Sequence, residues 1–183
     1  MNLSALQIFR NISAAIIGPD ATKAELILGW GTAVVFCAGQ LIWAQVWGNW
    51  TWWQLMIALV FAFDIGGGVV VNATRSGRKY WHRPTLNIRN HALFYLAHIH
   101  PFLIALFWND FSWWQALAIY VGMLIMAFLV RITSPKIKRP LSFGLTSLAT
   151  VAGITWLRMP AGIAWLPPLY FVKLILAHSV PEE

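Results

Sequence analysis

Three long, largely apolar runs constrain the fold of this chain more than any other feature of its sequence: Leu55–Phe63, Leu93–Trp108 and Ala116–Val130. Such runs are typical of helices that cross a lipid bilayer. Of the 183 residues, 59% are hydrophobic and 10% are charged, whereas a water-soluble domain has about 25% charged residues. We therefore predict an all-α, polytopic membrane helix bundle that forms a single integral membrane domain over residues 1–183.

Two similar tetrapeptides mark helix starts at the membrane boundary. Thr51 and Gln54 enclose one pair of tryptophans, and Ser112 and Gln115 enclose another. A hydroxyl followed by Gln three positions later is the pattern of a capping box at a helix N-terminus. Paired tryptophans are typical of the aromatic belt at the lipid headgroups. Both stretches are therefore predicted to begin a transmembrane helix.

The hydrophobic pattern predicts about six transmembrane helices, each close to the ~20 residues that a helix needs to cross. Their predicted ranges are 24–47, 51–74, 90–108, 112–132, 140–157 and 164–180. Residues 1–20 have scattered polar side chains and end at Gly18-Pro19, which predicts an interfacial helix on the membrane surface. Because this segment has no basic leader and no small-residue cleavage site, we do not expect a removable signal peptide.

Basic residues give the predicted orientation. They occur in the loops that follow spans two and four and before span one: Arg75, Arg78, Lys79, Arg83, Arg89, Arg131, Lys136, Lys138, Arg139, Arg10 and Lys23. The loops on the other side hold only Arg158. The positive-inside rule then places both termini in the cytoplasm, in a cell inner (plasma) membrane. The net charge of +7 predicts contact with anionic lipid headgroups. No basic domain lies outside the predicted spans, which argues against nucleic-acid binding.

Asp64 is the only one of the six acidic residues that falls in the interior of a predicted span, since Glu25 lies at the start of span one. A carboxylate at that depth costs several kcal/mol unless it is paired, protonated or hydrated, so it is a candidate functional residue. Helical spacing places Gly67, Gly68, Asn72 and Arg75 on the same face. The glycines would let another helix or a ligand approach closely. The alternative is that the glycines only pack and that Asp64 has a structural role.

Span three contains three histidines, His91, His98 and His100, within ten positions. His91 and His98 share a face with Tyr95, whereas His100 points elsewhere in an ideal helix. Pro101 cannot donate to the carbonyl of Ala97, so we predict a kink that turns His100 inward and frees that carbonyl. The alternative is that the histidines only join neighbouring helices by hydrogen bonds.

Span six contributes Lys173 near its middle and His178 in its last inner turn. The simplest role of Lys173 is to neutralise Asp64. At 1.5 Å per residue, four side chains lie roughly 10–16 Å below the inner surface: Asp64, His98, His100 and Lys173. Four others lie within about a turn of that surface: Asn72, Arg75, His91 and His178. The sequence therefore predicts one cytoplasm-facing polar pocket between spans two, three and six.

Histidine and carboxylate are the ligands of catalytic zinc or iron centres, in which an open position holds water. We therefore predict a metal-dependent, hydrolase-like membrane enzyme that acts on a lipid or other apolar substrate. Asp64 with two of His91, His98 and His178, or with His100, would bind the metal. The predicted catalytic residues are Asp64, Lys173 and Arg75, and the predicted substrate-binding residues are Asn72, Gly67, Gly68 and Tyr95.

Three other classes of function use the same groups. A stack of Asp, His and Lys could form the proton relay of a transporter, although few ionisable groups reach the outer side. His98 and His178 could bind haem, or Lys173 could form a retinal-type Schiff base with Asp64 as counter-ion. The protein could also be a non-catalytic membrane subunit in which these groups only pack.

Overall fold

The computed structural model describes residues 4–47 and 49–180, and within these ranges every regular element is a helix. The α-helices, numbered in chain order, are α1 (Ala5–Ile16), α2 (Lys23–Trp47), α3 (Trp52–Phe61), α4 (Gly68–Ala73), α5 (Arg75–Trp81), α6 (Ile88–Ala97), α7 (His100–Phe107), α8 (Trp113–Ile132), α9 (Pro135–Trp156) and α10 (Leu166–Phe171). Two π-helical segments, Ala62–Gly67 and Val172–His178, join α3 to α4 and extend α10. The prediction of an all-α fold is confirmed.

Four helices of the described chain are long and apolar enough to cross a membrane. They are Lys23–Val46, Trp52–Ala73, Ile88–Phe107 and Trp113–Ile132, and each lies close to a predicted span. Helix α9 has 22 residues but begins with a basic, proline-containing segment, so its apolar part is short. The last helix comprises 6 α-helical and 7 π-helical residues, fewer than a full crossing needs. The structure thus supports four of the six predicted spans.

The predicted helix starts are confirmed in detail. Thr51 and Gln54 form a complete capping box, and so do Ser112 and Gln115. The Gln54 side chain also donates to the carbonyl of Phe107 at 2.8 Å, which ties the start of α3 to the end of α7. This hydrogen bond holds the start of α3 and the end of α7 at one level of the bundle.

The short last helix lies at the centre of the bundle rather than at its edge. It packs against α4, α8 and α9. Leu166, Tyr170, Leu174 and Ile175 on this helix are fully buried. Lys173 and His178 on this helix are also buried, so the neighbouring helices shield both polar side chains.

Helix α1 is the predicted N-terminal helix, and it packs along α2. The indole N–H of Trp30 donates to the hydroxyl of Ser13 at 3.1 Å, and Ile17 is buried. Helix α1 also exposes apolar side chains, including Leu6 and Ile8. An exposed apolar face of this kind suits a helix that lies on a membrane surface, and that location stays a prediction.

Close contact between α2 and the second span depends on glycine. A Cβ atom added at Gly66 would lie 2.3 Å from Cγ of Phe36, and one added at Gly67 would lie 2.6 Å from Cβ of Ala33. Real Cβ atoms do not approach other atoms so closely. The glycines of the G-G-G segment therefore allow tight helix packing, as small residues do between membrane helices.

We predict that Gly66→Ala lowers the stability of the protein by about 1–3 kcal/mol, because the added methyl overpacks the contact with Phe36. Gly122→Ala is the matched control, since a Cβ atom there has no neighbour within 4 Å. That control should be neutral or stabilising by up to about 1 kcal/mol, because alanine favours the helix. Unfolding in detergent micelles measures both. Equal stability of the two variants would contradict the packing described for the second span.

Candidate functional site

Three helices depart from regular α-helical geometry at one place in the bundle. The second span is π-helical over Ala62–Gly67, which includes Asp64. The third span is interrupted between α6 and α7, at His98 and Ile99. The last helix becomes π-helical from Val172 onward, which includes Lys173. Irregular helix segments are frequent at functional sites in membrane and soluble proteins.

The ionisable side chains on these three segments meet in one cluster, which we call the Asp64 centre: Asp64, His98, His100 and Lys173. The ammonium of Lys173 lies 2.9 Å from Oδ1 of Asp64. Nε2 of His100 lies 3.1 Å from the other carboxylate oxygen, and Nε2 of His98 lies 3.9 Å from it. The four residues that depth alone had grouped are therefore in contact.

Hydrogen bonds define the protonation of His98. Its Nδ1 atom lies 2.6 Å from the carbonyl of Phe94, and a carbonyl only accepts, so Nδ1 carries a proton. Its Nε2 atom lies 3.0 Å from the Lys173 nitrogen. A lysine ammonium only donates, so Nε2 accepts and His98 is neutral. Lys173 thus donates both to a carboxylate and to an imidazole.

The break in the third span is stabilised by the last helix. The hydroxyl of Tyr170 donates to the carbonyl of His98 at 2.7 Å. The predicted kink before Pro101 is therefore present, and it turns His98 and His100 toward Asp64. The carbonyl of Ala97 accepts instead from the backbone N–H of Ile99. The prediction that the Ala97 carbonyl would be free is therefore wrong.

Asp64 is the most accessible member of the Asp64 centre. Its side chain is 43% exposed, compared with 4% for Lys173 and 8% for His98. It lines a cavity of about 130 Å³ between α1, α2 and the second span. The other lining residues are apolar side chains and glycines: Ile16, Ile17, Gly29, Trp30, Ala33, Phe63, Gly67, Gly68 and Val71. A molecule in this cavity would meet the carboxylate first.

Gly68 determines how closely Lys173 approaches. A Cβ atom at Gly68 would lie 2.6 Å from Cε of Lys173. Of the predicted substrate-binding residues, Gly67 and Gly68 thus border the Asp64 centre. Gly67 faces Ala33 of α2 and lines the same cavity as Asp64.

The other two predicted metal-binding histidines belong to a separate cluster. The rings of His91 and His178 lie 5.9 Å apart, and each lies within 5.8 Å of the ring of His82. Nε2 of His82 lies 2.8 Å from the carbonyl of His178, to which it donates. We call this group the three-histidine cluster. His82 was not among the predicted site residues, although it is the only histidine in the basic loop that follows the second span.

Phe94 lies between the two clusters. Its ring stacks on His178 with a centroid separation of 3.8 Å, and its centroid lies 4.5 Å from that of His98. The predicted set of Asp64 with His91 or His178 is therefore not formed, because an aromatic ring separates these histidines from the Asp64 centre.

Outside the spans, burial lowers the pKa of His82 below its ordinary value, and the nearby charges of Lys138, Arg131 and Arg78 act in the same direction. Burial and these charges therefore favour the neutral form of His82. Arg131 and Lys138 supply the positive charge near the three-histidine cluster.

Arg75, Asn72 and Tyr95 also lie away from the Asp64 centre. Arg75 is exposed at the start of α5 and lines a surface cavity with Asp20 and Glu25. Asn72 is buried on α4. The Tyr95 hydroxyl is 2.7 Å from that of Ser179. Depth along the helices predicted one pocket that would hold all of these residues. In the structure they lie in separate places, because residues at the same depth face different sides of their helices.

The Asp64 centre does not fit a metal ion in this arrangement. Both Oδ1 of Asp64 and Nε2 of His98 are hydrogen-bonded to the ammonium of Lys173, and a cation bound by the two would have to displace that charge. Over residues 4–47 and 49–180, no group of three His, Cys, Asp or Glu side chains is arranged to hold a metal. Binding of zinc or iron stays a prediction that this geometry does not support.

No protein-family model, no curated protein and no solved structure matches this chain.

We predict that Asp64→Asn destabilises the protein by about 3 kcal/mol, because it leaves the buried ammonium of Lys173 without a counter-charge. The double variant Asp64→Asn/Lys173→Met should recover part of this loss, since no uncompensated charge remains. Unfolding midpoints in detergent micelles for the wild type, both single variants and the double variant provide the measurement. If the double variant loses as much stability as the two single variants together, the two side chains do not interact.

Proposed function

We propose that this chain is a membrane-embedded enzyme that performs acid–base chemistry on a lipid or other apolar substrate, with the Asp64 centre as its active site. In this proposal both termini and the basic loops are cytoplasmic, as predicted. Helix α9 and the last helix are also inserted in the membrane, which gives six inserted helices. Under this orientation the cavity beside Asp64 lies in the inner half of the bilayer. The substrate would then enter from the inner leaflet.

One observation carries the proposal: a carboxylate, an ammonium and two imidazoles converge where three helices lose regular geometry, and the carboxylate borders an apolar cavity. Charged groups at membrane depth are costly, and they are retained mainly for function. Titratable groups in contact beside a cavity are the usual composition of an acid–base site. A purely structural ion pair would not need access to a cavity.

Asp64 is the general base in this proposal, because it is the member that a molecule in the cavity contacts. It would accept a proton from a water or a hydroxyl as that oxygen attacks the substrate. The protonated Asp64 carboxyl would then return this proton to the leaving group as the bond between that group and the substrate breaks, so Asp64 ends the cycle ionised again. Lys173, which donates to Nε2 of His98 at 3.0 Å, would keep its proton and its positive charge beside the carboxyl group.

Lys173 and His100 also orient the base. Each donates to a different oxygen of the Asp64 carboxylate, so the carboxyl group cannot rotate freely. A base held in one orientation reacts faster than a mobile one, because its positioning has no further entropic cost. Hydrolysis in this centre would not require a metal-bound water.

Proton-coupled transport is the second candidate, and the interrupted helices favour it. Substrate and ion sites of transporters are often built from discontinuous helices near the middle of the bilayer. However, the described residues on the outer side of the centre are largely apolar, with Phe61, Ile104 and Trp108 all buried there. A continuous path for protons to the outer surface would have to open by a conformational change.

The pigment alternatives fit the geometry poorly. The Lys173 nitrogen has two hydrogen-bond partners, and Gly68 packs against its side chain, so a polyene has no space to attach. His98 and His178 cannot share a haem iron, because the ring of Phe94 packs against both of them.

We predict that the purified protein converts one or more species in a polar-lipid extract, and that Asp64→Asn/Lys173→Met lowers this conversion by at least 100-fold through loss of the general base. Mass spectrometry of the lipids before and after incubation measures the conversion. The double variant is the informative one, because its ion pair is replaced rather than broken and the protein should remain folded.

A folded double variant with wild-type conversion would refute the role of Asp64 as base. The control Gly122→Ala, which lies away from the centre, should convert the lipids at the wild-type rate. Metal analysis of the same preparations tests the zinc or iron prediction. A stoichiometric metal that is lost in His98→Ala would overturn the metal-independent mechanism.

Transport gives a different expected result in liposomes loaded with a pH-sensitive dye. The enzyme proposal predicts that the wild type and Asp64→Asn/Lys173→Met dissipate an imposed pH gradient equally slowly. A flux that is present in the wild type and absent from the variant would instead favour the transporter.

A further inference from the structure

A second cavity, of about 290 Å³, lies between α6 and α8 at the basic end of the bundle. Its volume is near the lower limit of about 300 Å³ that is typical of ligand pockets. The cavity is separate from the Asp64 centre and from the cavity beside it. It has a basic opening and an apolar interior, and these two parts set what it can bind.

The interior is formed by apolar side chains from two predicted membrane spans. They are Ile88, Ala92 and Leu96 of α6 and Leu124, Ala127 and Phe128 of α8. Leu124 lies seven residues before Arg131 on the same helix, which is about 10 Å along its axis. The cavity thus extends from the end of a span into the hydrocarbon region. Such a surface suits an acyl chain.

The opening carries polar and basic side chains: His82, His91, Tyr95, Arg131, Lys138 and Ser179. Arg131 is exposed and Lys138 is half-buried. Neither forms an ion pair with a carboxylate within residues 4–47 and 49–180. Two cations beside neutral hydrogen-bonding groups are suited to a phosphate.

We propose that this cavity binds an anionic glycerophospholipid of the adjacent leaflet, with its phosphate at Arg131 and Lys138 and one acyl chain between α6 and α8. The inference does not depend on the proposed enzymatic function, because it uses other residues. Charge complementarity at the opening selects an anionic headgroup over a zwitterionic one. The apolar interior selects a lipid over a free phosphate ion.

The test uses the full-length protein in a neutral detergent, titrated with phosphatidylglycerol, phosphatidylcholine or inorganic phosphate. Native mass spectrometry counts the lipids that remain bound. We expect phosphatidylglycerol to bind with one preferred site, phosphatidylcholine to bind more weakly and inorganic phosphate not to compete at millimolar concentration. Equal binding of the two lipids would overturn the headgroup assignment, and efficient competition by phosphate would overturn the role of the acyl chain.

Variants locate the site. Arg131→Gln/Lys138→Gln should weaken binding of phosphatidylglycerol about thirtyfold, since each basic residue near a lipid surface contributes about a factor of five to the affinity. The matched control is Arg89→Gln/Lys136→Gln, which removes the same charge from the same end of the bundle but outside the cavity lining. An equal effect of both pairs would show a general surface attraction instead of a site.

Ala92→Phe tests the interior without changing any charge. Ala92 is exposed toward the cavity, so the larger side chain fills space without disturbing the buried core. This variant should fold normally and lose the preferred phosphatidylglycerol site. Retention of that site by folded Ala92→Phe would refute the placement of the acyl chain.

Discussion

The ion pair between Asp64 and Lys173 is the interaction on which the centre of this bundle depends. Each charge alone would be very costly in an apolar interior, so the two helices that carry them must remain in contact. Gly68 provides the space that this contact requires, and the two π-helical segments bring both side chains to the same point. The last helix is therefore held at the centre by a charge as well as by its apolar surface.

The broken third span follows from the same constraint. A continuous helix would place His98 and His100 on different sides, whereas the break at residues 98–99 lets both contact the carboxylate or its partner. Breaking a helix in an apolar region leaves backbone groups without partners, each costing several kcal/mol if unsatisfied. The Tyr170 hydroxyl satisfies one of them, the carbonyl of His98. The ion pair, the irregular helix segments and the hydrogen bond to the His98 carbonyl thus depend on one another.

The sequence predicted the members of the Asp64 centre because depth along a helix is readable from residue number. It also predicted the kink, because proline removes a known hydrogen bond. It did not predict that His91 and His178 would cluster with His82, or that Arg75 would line a separate cavity with Asp20 and Glu25. Those outcomes depend on which sides of the helices face each other. Six helices can be packed in many ways that leave every residue at the same depth in the membrane, so depth does not predict them. The last two spans stay predictions, because α9 begins with a basic segment and the last helix is short and largely buried.

The two sites differ in their electrostatics, and this limits what each can do. In the Asp64 centre, the carboxylate is balanced by Lys173 beside a neutral His98, so it offers little attraction to a charged molecule from a distance. Among the residues that the structure describes, no carboxylate pairs with Arg131 or Lys138 at the opening of the other cavity. Long-range recognition of an anionic amphiphile would therefore be a property of the basic end. Selection at the Asp64 centre would depend on shape and hydrogen bonding. Because Phe94 contacts both His178 and His98 and His98 directly follows α6, a displacement of α6 at the basic end would reach the Asp64 centre.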